Sequence, residues 1–274
     1  MSDHSAHPSP EHSATTHFDQ RGTTYDQAEV HHRIVAILAT GAALAPGLRV
    51  LDLATGTGLL AFEAASRVGP AGSVLGVDTS EGMLAEAKRK AVGTGLRNIE
   101  FVLGDAERLD LSLESFDRLL CASALVLMSD IPRALHHWSG FLKPGGIVAF
   151  DTPAKPFGIS GMVAEIASEH GIQLGYADVA DTPGKCRWFL EKAGFEVVAV
   201  TTELASAAPI EVGKAVAFWD DHIGHPAWQT LKEAPPATRE TIRAAYVDSA
   251  TAAAIDGQIP NDTALNFAFG RKPL

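Results

Sequence analysis

The sequence predicts an α/β protein with a parallel sheet covered by helices on both faces. Short apolar runs bounded by glycine or proline alternate with segments whose apolar residues recur at helical spacing. A glycine-rich segment joins the first of these runs to the helical segment that follows it. Strands alternating with helices in this way form right-handed βαβ units, which place the helices on the two faces of a sheet.

Composition limits the function classes. The chain has 274 residues, 46% of them hydrophobic, and its 33 acidic and 22 basic residues give a net charge of −11. Such an acidic chain is not expected to bind nucleic acid or an anionic membrane, because phosphate binding requires clustered cations. Its two cysteines, Cys121 and Cys186, are too far apart in sequence to indicate a disulfide framework or a zinc site, so no metal is expected. Without a signal peptide or an apolar run of about 18 residues, we expect a cytoplasmic protein with no membrane anchor.

The elements of the first half follow in order. Residues 1–17 are rich in Ser, His, Pro and Thr and predict a flexible tail. Helical spacing predicts a helix over 28–44, and the turn signal Pro46-Gly47 separates it from an apolar strand at 48–53. Further strands are predicted at 73–77, 99–103, 116–121 and 147–151, with helices at 81–91 and 131–142. Ser80 is the predicted N-cap of the helix at 81–91.

The pattern loosens after residue 151. A helical stretch is predicted within 152–185, a helix at 186–193, a strand at 195–201 and a closing strand at 264–270, whereas 204–262 are expected to be irregular. We therefore expect one domain over 18–274. Its cofactor-binding core is 18–151, and the insertions 152–185 and 204–262 form the substrate side, since loops carry function on a rigid scaffold.

The glycine-rich segment 51–61 predicts a binding site. It leaves the first strand and opens a helix, where Gly56 and Gly58 let the backbone approach a ligand closely. Asp78, at the end of the second strand, can accept hydrogen bonds from two ribose hydroxyls, so an adenosine-containing ligand is expected. The spacing Gly56-x-Gly58-x-x-Ala61 also fits the dinucleotide fingerprint, which leaves an NAD(P)-dependent dehydrogenase open.

Three further features favour a different adenosine ligand. Met83 lies in the first turn of the helix after Asp78, where its thioether can pack on an adenine ring. Asp105 follows the third strand and can accept a hydrogen bond from an exocyclic amine. The segment 142–146, Leu-Lys-Pro-Gly-Gly, ends a helix and turns into the fifth strand.

Together these segments resemble a known family. Residues 51–58, 77–84, 104–107, 116–117 and 142–146 are similar to the class I S-adenosylmethionine-dependent methyltransferases, especially the ubiquinone/menaquinone-biosynthesis subgroup. Phe18-Asp19 and Tyr25-Asp26 resemble the entry segment of that subgroup. The resemblance covers 18–151, with a weaker similarity at 190–198 and at the final strand. It implies a Rossmann-like, seven-stranded, mostly parallel sheet whose last strand, 264–270, runs antiparallel. We expect helices on both faces of this sheet and helical insertions in the C-terminal half.

The resemblance also implies residue roles at S-adenosylmethionine. The backbone of Ala54–Gly56 would lie beside the methionine part, Asp78 at the ribose, and Met83 with Asp105 at the adenine. Asp52 and the backbone around Cys121 would approach the ammonium. The full set of expected cofactor residues is Tyr25, Asp52, Ala54, Thr55, Gly56, Asp78, Thr79, Met83, Asp105, Ala106 and Cys121.

The chain departs from the family pattern at two places. Ala54 replaces the first glycine of the loop motif, as in several members of the subgroup. Val126 and Leu127 stand where related enzymes often carry one or two histidines, so no general base is expected from that segment.

Catalytic and acceptor residues are less clearly marked. Methyl transfer from a sulfonium needs mainly positioning, and a base is required only when the acceptor loses a proton. His222 is the preferred base because acidic neighbours raise a histidine's basicity, although a structural histidine is the alternative. Trp219, Trp228 and Tyr246 are predicted to line the acceptor pocket, with core packing as the alternative.

The function expected from these observations is methyl transfer from S-adenosylmethionine to carbon, nitrogen or oxygen of a small molecule. A dehydrogenase remains the rival enzyme. The third alternative is an S-adenosylmethionine-binding cyclase or partner protein that transfers no methyl group, because no base is visible. The apolar N-terminal helix allows a homodimer.

Overall fold

A seven-stranded sheet forms the centre of the molecule. The computed structural model describes residues 17–19, 21–23 and 25–274, so the predicted tail at 1–17 lies outside the described residues except for His17. The strand order is β3-β2-β1-β4-β5-β9-β6. The strands of this sheet are β1 (Arg49–Leu53), β2 (Ser73–Asp78), β3 (Ile99–Leu103), β4 (Phe116–Cys121), β5 (Leu142–Phe157), β6 (Glu196–Ser206) and β9 (Thr263–Arg271).

Strand directions confirm the predicted Rossmann-like sheet. Strands β1 to β5 pair in parallel, whereas β9 lies antiparallel between β5 and β6. The order reverses between β1 and β4, which is the place where open α/β sheets bind ligands beyond the carboxyl ends of their strands. Strand β5 is longer than predicted because it continues through residues 152–157, where it pairs with β9.

Nine helices and two short strands complete the described part of the chain. Ser80 accepts a hydrogen bond from the Met83 backbone N–H at 3.1 Å, which confirms the predicted N-cap. The helices are α1 (Glu29–Gly41), α2 (Leu59–Val68), α3 (Glu81–Thr94), α4 (Ile131–Phe141), α5 (Gly158–Glu169), α6 (Pro183–Lys192), α7 (Val212–His222), α8 (Gln229–Glu233) and α9 (Pro236–Ala252). The short strands β7 (Ile210–Glu211) and β8 (Gln258–Ile259) pair with each other.

Two hydrophobic clusters cover the two faces of the sheet. One contains Trp138 of α4 and Leu190 of α6, and the other contains Leu38 of α1 and Ala61 of α2. Buried apolar strand residues such as Leu51 and Val50 point alternately into the two clusters, as expected for a sheet covered on both faces. The clusters hold the carboxyl ends of the strands in fixed positions.

The prediction that 204–262 are irregular was wrong. Helices α7, α8 and α9 occupy most of this segment and pack on α5 around a third hydrophobic cluster. The missed signal is the spacing of Ile242, Tyr246 and Ala250, which recur every four residues on the buried face of α9. Many of the remaining positions are alanine or polar, which hides the helical period in the sequence.

None of the helices within the described ranges is long and apolar enough to cross a membrane.

Candidate functional site

A cleft of about 770 Å³ opens at the carboxyl ends of the central strands. It is bordered by the turns after β1, β2, β3 and β4, by the N-terminal segment before α1, and by the loop between α7 and α8. Of the predicted cofactor residues, eight line this cleft: Tyr25, Ala54, Gly56, Asp78, Thr79, Met83, Asp105 and Ala106. The cleft therefore brings together residues that the sequence predicted from separate motifs.

The glycine-rich turn presents its backbone to the cleft. Gly56 has a φ of +56° and Gly58 a φ of +82°, and both residues lie in the left-handed region that glycine adopts readily. Ala54 adopts the same region with a φ of +53°, so the alanine makes the turn in spite of its Cβ. Below the turn, the Thr55 hydroxyl donates to Asp52 at 2.6 Å and fixes the loop to β1.

Asp78 links the first two turns of the sheet. Its carboxylate accepts the Gly56 backbone N–H at 2.7 Å and the Ser80 backbone N–H at 2.9 Å. Burial raises the pKa of Asp78, and the backbone hydrogen bonds oppose that rise. The carboxylate is thus held at the edge of the cleft, where its remaining acceptor capacity suits vicinal hydroxyls.

The other end of the cleft suits a flat heteroaromatic ring. Met83 is 2% exposed at the start of α3, and Asp105 and Ala106 follow β3. The Trp138 indole N–H donates to the Ala106 carbonyl at 2.8 Å, which anchors this turn to the core. Asp105 also lies 3.5 Å from the Arg108 guanidinium. This arrangement of thioether, backbone and carboxylate fits the adenine end of an adenosine ligand.

The N-terminal segment before α1 crosses the cleft and is held there by polar contacts of two residues, Asp19 and Asp26. Asp19 accepts from the Ser80 hydroxyl at 2.6 Å and from the Gly82 N–H at 3.0 Å. Asp26 accepts from the Thr57 hydroxyl and pairs with Lys90 at 2.5 Å. The contacts hold the segment against the glycine-rich turn and α3.

Between these fastenings, Tyr25 lines the cleft and its ring stacks on His31 of α1, with the ring centroids 4.1 Å apart. Burial raises the pKa of Tyr25 to about 12, so its hydroxyl stays protonated at neutral pH.

Three predicted cofactor residues lie behind the wall of the cleft. Asp52, Thr55 and Cys121 are buried and do not line it, although their neighbours Ala54 and Ala122 do. Burial raises the pKa of Asp52 to about 7 and the pKa of the Cys121 thiol well above its usual range. A carboxylate buried away from water is stabilised when a cationic group lies close to it.

The sequence did not identify Asp151. This residue is 2% exposed, and the pairing of Phe150 with Cys121 places it level with the first residue beyond β4. Its Oδ1 atom accepts the Ser123 backbone N–H at 2.7 Å, and burial raises its pKa to about 7. Asp151 follows the apolar run at 147–150 of β5 and belongs to no motif that could have marked it.

The far side of the cleft is apolar and was also missed. Val126, Leu127 and Met128 contribute from the segment after β4, and Pro226 and Ala227 from the C-terminal helices. Val126 and Leu127 were noted in the sequence only as positions that lack histidine. The sequence could not show that they would line the same cleft as the predicted cofactor residues.

The prediction for His222 requires correction. The ring does not line the cleft but stacks on Phe218 at a centroid distance of 3.7 Å and contacts the Phe218 carbonyl through Nδ1 at 2.9 Å. Burial lowers the pKa of His222 to about 4 and outweighs the opposing effect of Asp221. His222 has the packing of a structural histidine, and no three His, Cys, Asp or Glu side chains in the described ranges are arranged to hold a metal.

The three aromatic residues predicted for the acceptor pocket belong to the core of the C-terminal helices. Trp219, Trp228 and Tyr246 are buried in the third hydrophobic cluster and do not line the cleft. The Tyr246 hydroxyl is also satisfied internally, since it donates to the Ala215 carbonyl at 2.5 Å. Core packing, the alternative left open by the sequence, accounts for all three.

Comparison with known proteins shows that this chain is similar to methyltransferases. Residues 50–146 match the model of a methyltransferase domain. The chain is 36% identical over 145 residues to aklanonic acid methyltransferase of Streptomyces sp. strain C5, covering 51% of this chain and 64% of that protein. It is 27% identical over 244 residues to nocamycin O-methyltransferase of Saccharothrix syringae, covering 82% and 86%. It is 40% identical over 129 residues to the ubiquinone/menaquinone biosynthesis C-methyltransferase of Bordetella parapertussis, covering 46% and 50%.

A solved structure has the same fold. The S-adenosylmethionine-dependent methyltransferase of Aquifex aeolicus superposes with a TM-score of 0.54 at 20% identity, covering 68% of this chain and 91% of that one. The chain spans just under two thirds of the aklanonic acid enzyme and half of the Bordetella enzyme.

Proposed function

We propose that this protein transfers a methyl group from S-adenosylmethionine to a small-molecule acceptor, because residues 50–146 match the model of a methyltransferase domain. The observation that carries the proposal is the single cleft shared by the glycine-rich turn, Asp78 and the turn at Asp105. These groups follow three neighbouring parallel strands, so they converge at one edge of the sheet.

The proposed cofactor roles are those that the family resemblance implies, and the position of these residues around one cleft supports them. Asp78 holds the ribose hydroxyls, Met83 and Ala106 contact the adenine with Asp105 at its amine, and Thr79 lies beside them. Ala54 and Gly56 present backbone groups to the methionine part. Tyr25 covers this part of the cleft from the N-terminal segment. Asp52, Thr55 and Cys121 act from behind the cleft lining. Thr55 fixes the turn through its hydrogen bond to Asp52, and Asp52 is the acidic group near the ammonium.

Catalysis follows from positioning. When bound, S-adenosylmethionine supplies a methyl group on a positively charged sulfur. The residues around the cleft hold an acceptor in line with that methyl and exclude water, which is sufficient for a reaction with a good leaving group. The N-terminal segment contributes by covering the cleft, because Asp19 and Asp26 fasten it on both sides of Tyr25.

The acceptor is proposed to be an apolar, uncharged or weakly acidic molecule. The side of the cleft away from Asp78 carries Val126, Leu127, Met128 and Pro226, which favour apolar surface. Two of the matched relatives are named for aklanonic acid and nocamycin, which agrees with a small organic acceptor. Carbon, nitrogen and oxygen acceptors all remain within the proposal.

The test is calorimetric titration with S-adenosylmethionine, S-adenosylhomocysteine and NADPH. We expect the two sulfur compounds to bind and NADPH to show no heat of binding. Binding of NADPH alone would favour the dehydrogenase. Methylated products should then be sought by mass spectrometry after incubation with small-molecule extracts. Binding of S-adenosylmethionine without any methylated product, but with an isomerised one, would favour the cyclase alternative.

Three further expectations remain predictions. A cytoplasmic location and the division of the chain at residue 151 each require their own measurement. A homodimer through α1 would be detected as a doubled mass in sedimentation.

A further inference from the structure

Asp151 is a buried carboxyl that none of the recognised motifs includes. It lies in β5 beside the turn after β4, and the residues of that turn, Ala122 to Ala124, line the cleft. Its Oδ1 atom holds the Ser123 backbone N–H at 2.7 Å, and Ser123 has a φ of +56°. The carboxyl group therefore lies directly beneath the part of the cleft proposed for the methionine end.

The groups around Asp151 are mainly acidic or neutral. Its charge raises the pKa of the Tyr25 hydroxyl on one side and of the Cys121 thiol on the other, in both cases after burial, the larger cause. Asp52 and Asp78 act on the same thiol from β1 and β2.

Two further groups complete these surroundings. The thiol of Cys186 in α6 is also affected by Asp151. Arg21, in the N-terminal segment, lies 5.8 Å from the centroid of the Tyr25 ring and lowers the pKa of that hydroxyl.

Three carboxyl groups thus converge on the end of β4. A buried carboxylate is costly unless a positive charge lies close to it. Asp78 has backbone donors and ribose hydroxyls to satisfy it, and Asp52 is bound by Thr55. Asp151 is held by the backbone N–H of Ser123 and by its own backbone N–H, and these uncharged donors leave its negative charge without a counter-ion among them.

We propose that Asp151 is a specificity-determining residue whose negative charge favours the sulfonium of S-adenosylmethionine over the neutral thioether of S-adenosylhomocysteine. The inference rests on the proposed function. The two compounds share the adenosine, the ammonium and the carboxylate and differ in the methyl group and the positive charge on sulfur. In a cleft shielded from water, a carboxylate distinguishes these charges more strongly than it would in solution. Methyl transfer removes the positive charge on sulfur, so S-adenosylhomocysteine binds more weakly than S-adenosylmethionine and is released more readily.

The test compares affinities for both compounds in the wild type and in Asp151→Asn at pH 8. Asparagine keeps an oxygen that can accept the Ser123 N–H but removes the charge. We expect the affinity for S-adenosylmethionine to fall about tenfold, and that for S-adenosylhomocysteine to fall about threefold or less, because only the former has the sulfonium. Asp248→Asn, an exposed position on α9, removes the same charge and should change neither affinity.

Equal losses for the two compounds, or no loss, would overturn the inference. Failure of the wild type to bind either compound would instead overturn the proposed function. If Asp151→Asn does not fold, as judged by circular dichroism, the wild-type affinity ratio is measured between pH 6 and pH 8. The same ratio is measured in Asp52→Asn, because Asp52 has a similar pKa. A ratio that rises with pH in both proteins supports the inference, and a ratio that is constant in Asp52→Asn contradicts it.

Discussion

At the residue scale, the single carboxylate of Asp78 connects two parts of the binding cleft. It accepts backbone N–H groups from Gly56 and Ser80, so it joins the turn after β1 to the start of α3. A ligand hydroxyl would add to a hydrogen-bond arrangement that the protein has already formed. The geometry requires little reorganisation on binding, which favours affinity.

Asp78→Asn should therefore weaken the binding of S-adenosylmethionine without unfolding the protein. Asparagine can still accept one backbone N–H, but it accepts less strongly from hydroxyls. Each hydrogen bond to a charged group contributes about 1.5–3 kcal/mol, so we expect a loss of about 10- to 100-fold in affinity. Calorimetry measures the affinity, and thermal denaturation of the same variant provides the folding control. An unchanged dissociation constant would contradict the ribose role.

Tyr246→Phe should have the opposite pattern. The variant removes the buried hydroxyl that donates to the Ala215 carbonyl, and we expect a loss of about 1 kcal/mol in the free energy of unfolding. Because Tyr246 does not line the cleft, the affinity for S-adenosylmethionine should stay unchanged. Weaker cofactor or acceptor binding at unchanged stability would show that Tyr246 contributes to ligand binding rather than to core packing.

Local patterns explain which site residues were predictable. Asp78 and Asp105 follow strands at motif spacing, so the sequence marked them and the cleft contains both. His222 was misjudged because its acidic neighbour Asp221 suggested a raised pKa, whereas burial against Phe218 and Trp228 is the larger effect. Burial by residues distant in the chain cannot be read from neighbours in sequence.

At the scale of elements, the N-terminal segment depends on a glycine of α3. A Cβ atom added to Gly82 would lie 2.4 Å from the Asp19 carbonyl oxygen and 2.7 Å from the Asp19 Cα atom. These are backbone atoms, so an alanine there must displace the segment. The segment carries Tyr25 across the cleft, which couples this contact to ligand binding.

Gly82→Ala is expected to weaken S-adenosylmethionine binding about fivefold, equivalent to about 1 kcal/mol. Gly93→Ala is the matched control in the same helix, because a Cβ atom at that position has no neighbour within 4 Å. The control should raise the free energy of unfolding by about 0.5–1 kcal/mol through helix propensity and leave the affinity unchanged. If both variants bind as the wild type does, the segment does not contribute to the site.

The elements of the core were predictable because each strand is a short apolar run with clear boundaries. The C-terminal helices were not, because α9 contains Ile242 and Tyr246 among alanines and polar residues. Their packing on α5 depends on contacts between segments far apart in sequence. Tertiary burial, rather than local periodicity, stabilises this part of the molecule.

At the scale of the whole molecule, buried histidines and buried aspartates have opposite effects on the free energy of unfolding as the pH falls. The ring of His222 has its pKa lowered by burial to about 4, and that of His225 to about 3. Between pH 6.5 and pH 4 the unfolded chain binds protons at these histidines that the folded chain excludes, so they reduce stability as pH falls. Asp52 and Asp151 have pKa values raised to about 7, so the folded chain binds more protons there and they increase stability as pH falls.

Burial also lowers the pKa of His17 to about 4, so three histidines oppose two carboxyl groups; the wild type should lose unfolding free energy between pH 6 and pH 5, and Asp151→Asn should lose more. Removing one proton-binding carboxyl makes the variant lose about 1.4 kcal/mol more than the wild type for that one-unit fall in pH. Denaturation with urea at pH 6 and pH 5 measures the difference, with Asp248→Asn as the control for lost surface charge. If the variant and the wild type depend on pH to the same extent, Asp151 does not bind its proton more tightly in the folded protein. Its charge would then be present at pH 5 as well, and the preference for S-adenosylmethionine would be insensitive to pH between 5 and 8.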